Sequence, residues 1–256
     1  MNKYGICVSS IIPLRREPNE RSEMTSQLLF GETFQVLEET IKWTFIKNTF
    51  DAYSGWVDNK EIIFLSEENY SDILKSSFLV TNKLFTKIKN LKDEVIIIPA
   101  GSTLPNFNRA TRDFNILSNH YELIEEYNSD IDLDHVCKQF LNAPYLWGGK
   151  NPFGIDCSGF TQVITKIFGK QLPRDANQQV NSGENINFIS DAIPGDLAFF
   201  DDEEGNIIHV GIILNNNEII HASGKVRIDK IDQQGINNVD LKKYTHKLRV
   251  IKRVLN

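Results

Sequence analysis

The sequence predicts an α+β protein in which a strand-rich first half precedes helices that lead into an antiparallel sheet. Three observations carry that reading. Apolar residues alternate with a period of two up to about residue 65, a helical apolar period takes over from about 129, and short strand-like runs return from 196 onward. At 256 residues the chain is too long for one small domain. Three segments follow from these changes of pattern: 1–65, 66–128 and 129–256.

In the first segment Phe34 and Val36 alternate after Gly31, Trp43 and Phe45 alternate after Thr40, and Tyr53-Ser54-Gly55-Trp56-Val57 closes the stretch. Alternation at this density predicts a small β-barrel filled by its own side chains, with Trp43 and Trp56 in the core. In the second segment Val95-Ile96-Ile97-Ile98-Pro99 reads as a buried strand ended by a turn at Ala100-Gly101, while 78–88 mixes strand and helix signals. That segment is expected to be a second, degenerate barrel or a linking subdomain.

In the third segment Asp130 or Asp132 is placed to cap a helix carrying Leu133, Val136, Cys137, Phe140 and Leu141 on one face. A second helix starts near Cys157 and runs through Phe160, Val163, Ile164 and Ile167 to Gly169. Strands are expected at 196–200, 207–214, 218–222 and 246–254.

Bulk properties narrow the function. A net charge of −6 and a pI near 5.5 argue against nucleic acid or an anionic membrane as partner. No apolar run approaches a membrane span. The early apolar residues are interrupted by Ser9 and Ser10 and followed by Arg15 and Arg16, which leaves no signal-peptide core. The expected location is cytoplasmic, although a chain trimmed of its signal would read the same. Cys7, Cys137 and Cys157 form an odd set without CxxC spacing, which suits one reactive thiol better than a disulfide framework or a structural zinc site. No metal or organic cofactor is expected.

Cys157 stands apart from the other two. It sits in Gly154-Ile155-Asp156-Cys157-Ser158-Gly159-Phe160, between a glycine-containing loop and an apolar-periodic helix. A thiol in a first helical turn faces unsatisfied N–H groups and the positive end of the dipole, both of which favour thiolate. Cys137 falls among core residues and reads as a small hydrophobe, as does Cys7. His209 and His221 lie on two strand-like segments joined by Asn215-Asn216-Asn217. On neighbouring strands, His209 would take the thiol proton and His221 would bond its other ring nitrogen. His120, His135 and His246 read as solvated or structural.

These residues fall into a longer ordered pattern. Tyr145-Leu146-Trp147-Gly148-Gly149, Asp156-Cys157-Ser158-Gly159-Phe160, Leu172-Pro173-Arg174, Pro194-Gly195-Asp196-Leu197, His209-Val210-Gly211-Ile212 and Ile220-His221-Ala222 together resemble the NlpC family of cell-wall cysteine peptidases. The resemblance implies a papain-like catalytic domain in 129–256, with Cys157 as nucleophile, His209 as base, His221 as orienting member and Tyr145 beside the nucleophile as oxyanion support. Arg16-Glu17-Pro18, Ser22-Glu23-Met24, Gln27 to Glu32 and Tyr53 to Val57 resemble the bacterial SH3-like domain fused to one branch of that family, the γ-D-glutamyl-L-diamino acid endopeptidases (dipeptidyl-peptidase VI).

That branch acts on murein peptides with a free N-terminal L-alanine, so the resemblance implies an anion for the ammonium and walls for a small side chain. Asp156 is the first choice for the ammonium contact, with Glu23 and Tyr53 reaching from the barrel. Ser158 and Trp147 are candidate pocket walls, and Arg174 is a candidate for the D-glutamate carboxylate. The implied partner is a small murein peptide, L-Ala-γ-D-Glu-diamino acid; oligomeric state is not legible. Three other readings compete. They are an extracellular hydrolase of intact peptidoglycan, a non-catalytic wall-binding protein, and a metal hydrolase built on His209, His221 and Asp156 or Cys157.

Overall fold

The structure, a computed structural model, describes residues 3–128 and 130–255. Ser129, where the sequence pattern starts the third segment, lies outside them, as do residues 1, 2 and 256. The chain divides into two units, Met1–Asp130 and Ile131–Asn256.

The first unit opens with seven strands: Tyr4–Cys7 (β1), Ile11–Arg15 (β2), Met24–Leu29 (β3), Thr33–Glu39 (β4), Trp43–Asn48 (β5), Ser54–Asp58 (β6) and Ile62–Leu65 (β7). They pair antiparallel in the order β3-β2-β6-β5-β4-β1-β7, and Ile12, Leu14, Leu28, Phe34, Ile46 and Val57 fill the barrel they form. Trp43 is buried, but Trp56 is only half-buried. The alternation of β6 turns Gly55 and Val57 inward, so Trp56 faces outward and tilts against its cross-strand neighbour Phe45 at 5.2 Å.

The rest of the unit comprises Glu67–Lys75 (α1), Phe78–Val80 (β8), Phe85–Asn90 (β9), Val95–Pro99 (β10), Thr103–Pro105 (β11), Asp113–Ile116 (β12) and Asn119–Leu123 (β13). Strands β10-β9-β13-β12 form one sheet and β8 pairs with β11. Leu79, Ile88, Phe114 and Tyr121 share one core cluster with Ile6 and Phe30 of the barrel. The sequence reads β10 as fully buried; Val95 and Ile97 are instead about half exposed, because β10 is an edge strand with one solvated face.

The second unit begins with Leu133–Gln139 (α2), capped by Asp132, whose Oδ2 accepts the His135 N–H at 2.8 Å. This helix ends before Leu141, which is exposed. The short strands Lys150–Asn151 (β14) and Gly154–Ile155 (β15) lead into Cys157–Ile167 (α3), which stops at Gly169 in the left-handed region (φ +78°). Ala176–Gln179 (α4) and Glu184–Ile186 (β16) follow. The sheet then contains Leu197–Asp201 (β17), Ile207–Asn215 (β18), Glu218–Ser223 (β19), Lys225–Asp232 (β20), Gly235–Asn238 (β21) and Lys243–Arg253 (β22). Its order is β16-β22-β17-β18-β19-β20-β21, and a further pairing of β21 with β22 closes six of the strands into a ring. Helix α3 is buried over nearly its whole length and packs on β18 and β19. That contact positions the site.

Candidate active site

Cys157 is the first residue of α3, and Asp156 is the N-cap. The cap carboxylate accepts the Gly159 N–H on Oδ1 at 2.7 Å and the Gly148 N–H on Oδ2 at 2.8 Å, so one side chain ties the helix to the loop before it. Glycine is needed at 159 for the same closeness: a Cβ there would lie 2.3 Å from the Gly149 carbonyl oxygen. The Val210 and Ser158 backbone N–H groups lie close enough to the Cys157 sulfur to favour its charged form. Val210 is the residue next to His209 on β18.

The histidines come together across neighbouring strands. Extending the Ile212↔Ile220 register by one residue sets Gly211 opposite His221, and a Cβ at Gly211 would lie 2.9 Å from His221 Cβ. The glycine lets His221 lie close to β18, where its Nδ1 meets His209 Nε2 at 2.8 Å. His221 Nε2 in turn lies 3.1 Å from Asp229 Oδ2 on β20. Among ionisable groups, only an ion pair or relay partner makes such depth tolerable, since both His221 and Asp229 are essentially inaccessible.

Further ring contacts complete the setting. His246, on β22, stacks on His209 with centroids 4.3 Å apart, and Phe200 covers another side at 5.8 Å. Of the two alternatives the sequence leaves for His246, solvated or structural, its place on the ring of His209 fits the second. Burial, with the neighbouring charge of His221, pushes His246 down to about 4.

The electrostatics correct one expectation from the sequence. Burial pushes the Cys157 thiol up to about 11, with the Asp156 charge adding to it; the Val210 and Ser158 N–H groups and Arg174 pull the other way without prevailing. His209 is held well below the ordinary histidine value by burial and by the charges of His221 and His246. Both directions favour the neutral forms, thiol and imidazole. Desolvation outweighs the helix terminus here.

Asp156 and Arg174 are also not what the sequence suggests separately. Arg174 is 1% exposed and grips Asp156 with both terminal nitrogens, NH1 to Oδ1 at 3.0 Å and NH2 to Oδ2, while NH1 also reaches Ser158 Oγ at 2.9 Å. A buried bidentate pair of this kind neutralises the carboxylate and occupies the guanidinium. The two residues hold each other, the α3 cap and Ser158 in place. Tyr145 lies near enough to feel the charges of Cys157 and Asp156, and burial followed by those charges pushes its hydroxyl up to about 12, so it remains a proton donor. Trp147 is mostly exposed on the loop that Gly148 anchors. Glu23 and Tyr53 belong to the first unit; Glu23 pairs with Arg16 at 2.9 Å and Tyr53 packs against the barrel core.

The sequence reading missed Asp229, His246 and Arg227. Gly224, at φ +73°, was the available signal. It turns β19 back as β20, and a hairpin drawn from it places residue 229 on the face of β20 that carries His221's neighbours.

A thiol at a helix N-terminus beside an imidazole on an antiparallel sheet, the imidazole backed by a second polar ring, defines a papain-like thiol hydrolase. The comparisons agree. Residues 142–247 match the NlpC/P60 family and residues 14–62 match the bacterial dipeptidyl-peptidase SH3 domain. The chain is 45% identical over 247 residues to the γ-D-glutamyl-L-lysine dipeptidyl-peptidase of Bacillus subtilis (strain 168), covering 86% of this chain and 75% of that one. It is 24% identical to dipeptidyl-peptidase 6 of Lysinibacillus sphaericus, over 90% and 92% of the two chains. A crystal structure of an NlpC/P60 family protein from Bacillus cereus ATCC 10987 superposes with a TM-score of 0.79 at 20% identity, covering 99% of this chain and 100% of that one. The chain belongs to the NlpC/P60 family and is a cysteine peptidase.

Proposed function

We propose that this peptidase hydrolyses the bond between γ-linked D-glutamate and the following L-diamino acid in free murein peptides that carry an N-terminal L-alanine, releasing L-Ala-D-Glu inside the cell. The observation that carries the reading is the chain Cys157, His209, His221, with the Val210 N–H close to the thiol and the two rings joined at 2.8 Å. The B. subtilis relative's named activity and the matching SH3 domain support the choice of bond.

In this mechanism Cys157 Sγ attacks the side-chain carbonyl carbon of D-glutamate while its proton passes to His209 Nδ1, the ring nitrogen that His221 does not engage. The carbon–sulfur bond forms, and the oxyanion is held by the N–H groups at the α3 terminus and by the Tyr145 hydroxyl. His209 then gives the proton to the leaving amine as the amide bond breaks. Water, deprotonated by the same nitrogen, cleaves the thioester and restores the thiol. Ser158 and Trp147 are proposed to line the small side chain of the N-terminal residue. No step calls for a metal.

Digestion of L-Ala-γ-D-Glu-L-Lys beside its N-acetylated form tests the reading. The acetylated peptide is expected to be cleaved roughly 10²-fold more slowly or worse, because it lacks the ammonium. Equal cleavage of both removes the ammonium anchor, and cleavage at another bond removes the assignment.

A further inference from the structure

We infer that Asp229 is a positioning residue that sets the tautomers of His221 and His209, so that the relay spans four residues on four elements. The inference rests on the proposed roles of His209 and His221 and adds a residue to them. Its basis is the pattern of donors around one buried carboxylate.

Asp229 has no exposed side-chain surface. Its Oδ2 faces His221 Nε2 at 3.1 Å and Arg227 Nε at 2.7 Å, and its Oδ1 accepts Arg227 NH2 at 2.9 Å and the Val239 N–H at 3.0 Å. Burial alone would raise this carboxyl, but the bonds from His221, Arg227 and Val239 outweigh it and hold it down at about 2. It is therefore an ionised acceptor with no proton to give. His221 must then present Nε2–H to it, which leaves His221 Nδ1 bare if the ring is neutral. A bare Nδ1 can only accept, so His209 must carry its proton on Nε2, and His209 Nδ1 is left with the lone pair that takes the thiol proton.

The tautomers follow for a neutral His221 ring, and Arg227, which grips Asp229 on both oxygens, supplies the carboxylate's counter-charge. Were His221 doubly protonated, it would donate to His209 Nε2 and force the His209 proton onto Nδ1, toward the sulfur. The charged and titratable groups facing His221 are Asp229 and Arg227 on β20, His209 on β18 and His246 on β22, with Asp240 reaching Arg227 at 2.8 Å from beyond β21. The relay thus conveys a tautomer across strands β20, β19 and β18 to the helix, and no net charge moves along it at rest.

The test uses the full chain labelled with ¹⁵N-histidine and the variant Asp229→Asn. In the wild type near pH 8, long-range ¹H–¹⁵N correlations are expected to show both His221 and His209 protonated on Nε2 with bare Nδ1. In Asp229→Asn both amide orientations face an Arg227 donor, Nε at one position and NH2 at the other, and the relay calls for the one that turns the amide NH₂ toward His221. Both rings then flip to Nδ1–H. The turnover number should fall on the order of 10²- to 10⁴-fold, as when the carboxylate of a Ser-His-Asp relay is made an amide, with KM little changed, and the melting temperature should fall because Arg227 loses its buried counter-charge.

A wild-type His209 carrying its proton on Nδ1, or a doubly protonated His221, overturns the inference without any variant, whether or not Asp229→Asn folds. Unchanged turnover and tautomers in Asp229→Asn also overturn it. Failure of the underlying reading looks different: turnover would survive Cys157→Ala or His209→Ala.

Discussion

Helices α2 and α3 each begin at an aspartate cap and each bury a free cysteine, yet the two sulfurs stand in different chemistry. Cys137 lies in the second half of its helix, inside the core, where burial pushes its thiol far up and the nearby Asp132 and Asp134 push further. Cys157 is the first residue of its helix. Burial raises its thiol too, but two N–H groups reach the sulfur and an ordered imidazole pair lies on the adjacent strand. Depth does not separate a structural cysteine from a reactive one. What separates them is which polar groups the surrounding elements deliver to the sulfur.

The largest test of that contrast is a pair of alanine substitutions. Cys157→Ala should reduce turnover by about 10⁴-fold or more while leaving the fold intact. Cys137→Ala should leave turnover near wild type and lower unfolding free energy by about 1–2 kcal/mol, from the packing lost around the sulfur. Comparable activity loss in both would erase the distinction.

The two caps differ as much as the two thiols. Asp132 works alone on a backbone N–H, so Asp132→Ala should cost about 1 kcal/mol. Asp156 is held by a buried guanidinium, and Arg174→Met should cost about 3–5 kcal/mol in a urea titration by leaving the carboxylate uncompensated. Adding Asp156→Asn to Arg174→Met should recover part of that loss. An Arg174→Met cost no larger than that of Asp132→Ala would mean the pair contributes nothing beyond a cap.

A smaller effect concerns protonation. The thiol is raised to about 11 and His209 is lowered, so the neutral forms prevail at neutral pH. The alkylation rate of Cys157 by iodoacetamide should therefore climb with pH through the alkaline range as thiolate appears, while Cys137 stays unmodified. A plateau reached already near pH 5 would indicate a stored thiolate–imidazolium pair. For turnover, His209 must be unprotonated to act as base, and its lowered value should keep the acid limb of kcat/KM below the ordinary histidine range.

Much of the site was legible because its spacing encodes it. Cys157 follows a capping residue and opens an apolar-periodic stretch, and His209 and His221 sit on apolar strands joined by a short polar turn. Asp229 was not legible in the same way. Its strand, Lys225–Asp232, alternates charged and apolar residues like an ordinary solvated strand, and nothing local marks one aspartate as buried. Only the register His221↔Arg227, created by the turn at Gly224, brings it beneath the ring. Asp156 and Arg174 show the same limit from the other side. Each was singled out for a substrate charge, but their eighteen-residue separation runs through a helix and a loop whose return path the sequence does not specify. In the first unit, the barrel was legible from alternation, whereas the exposure of Trp56 and of β10 depended on which face met another element.

Trapping the covalent intermediate tests the central claim most directly. The enzyme is mixed with L-Ala-γ-D-Glu-L-Lys, quenched in acid and digested, and the peptides are analysed by mass spectrometry. The account predicts an L-Ala-D-Glu acyl group in thioester linkage on Cys157 alone, absent from the Cys157→Ala protein. Turnover with no acyl group on Cys157, or acylation at Cys7 or Cys137 instead, would contradict it.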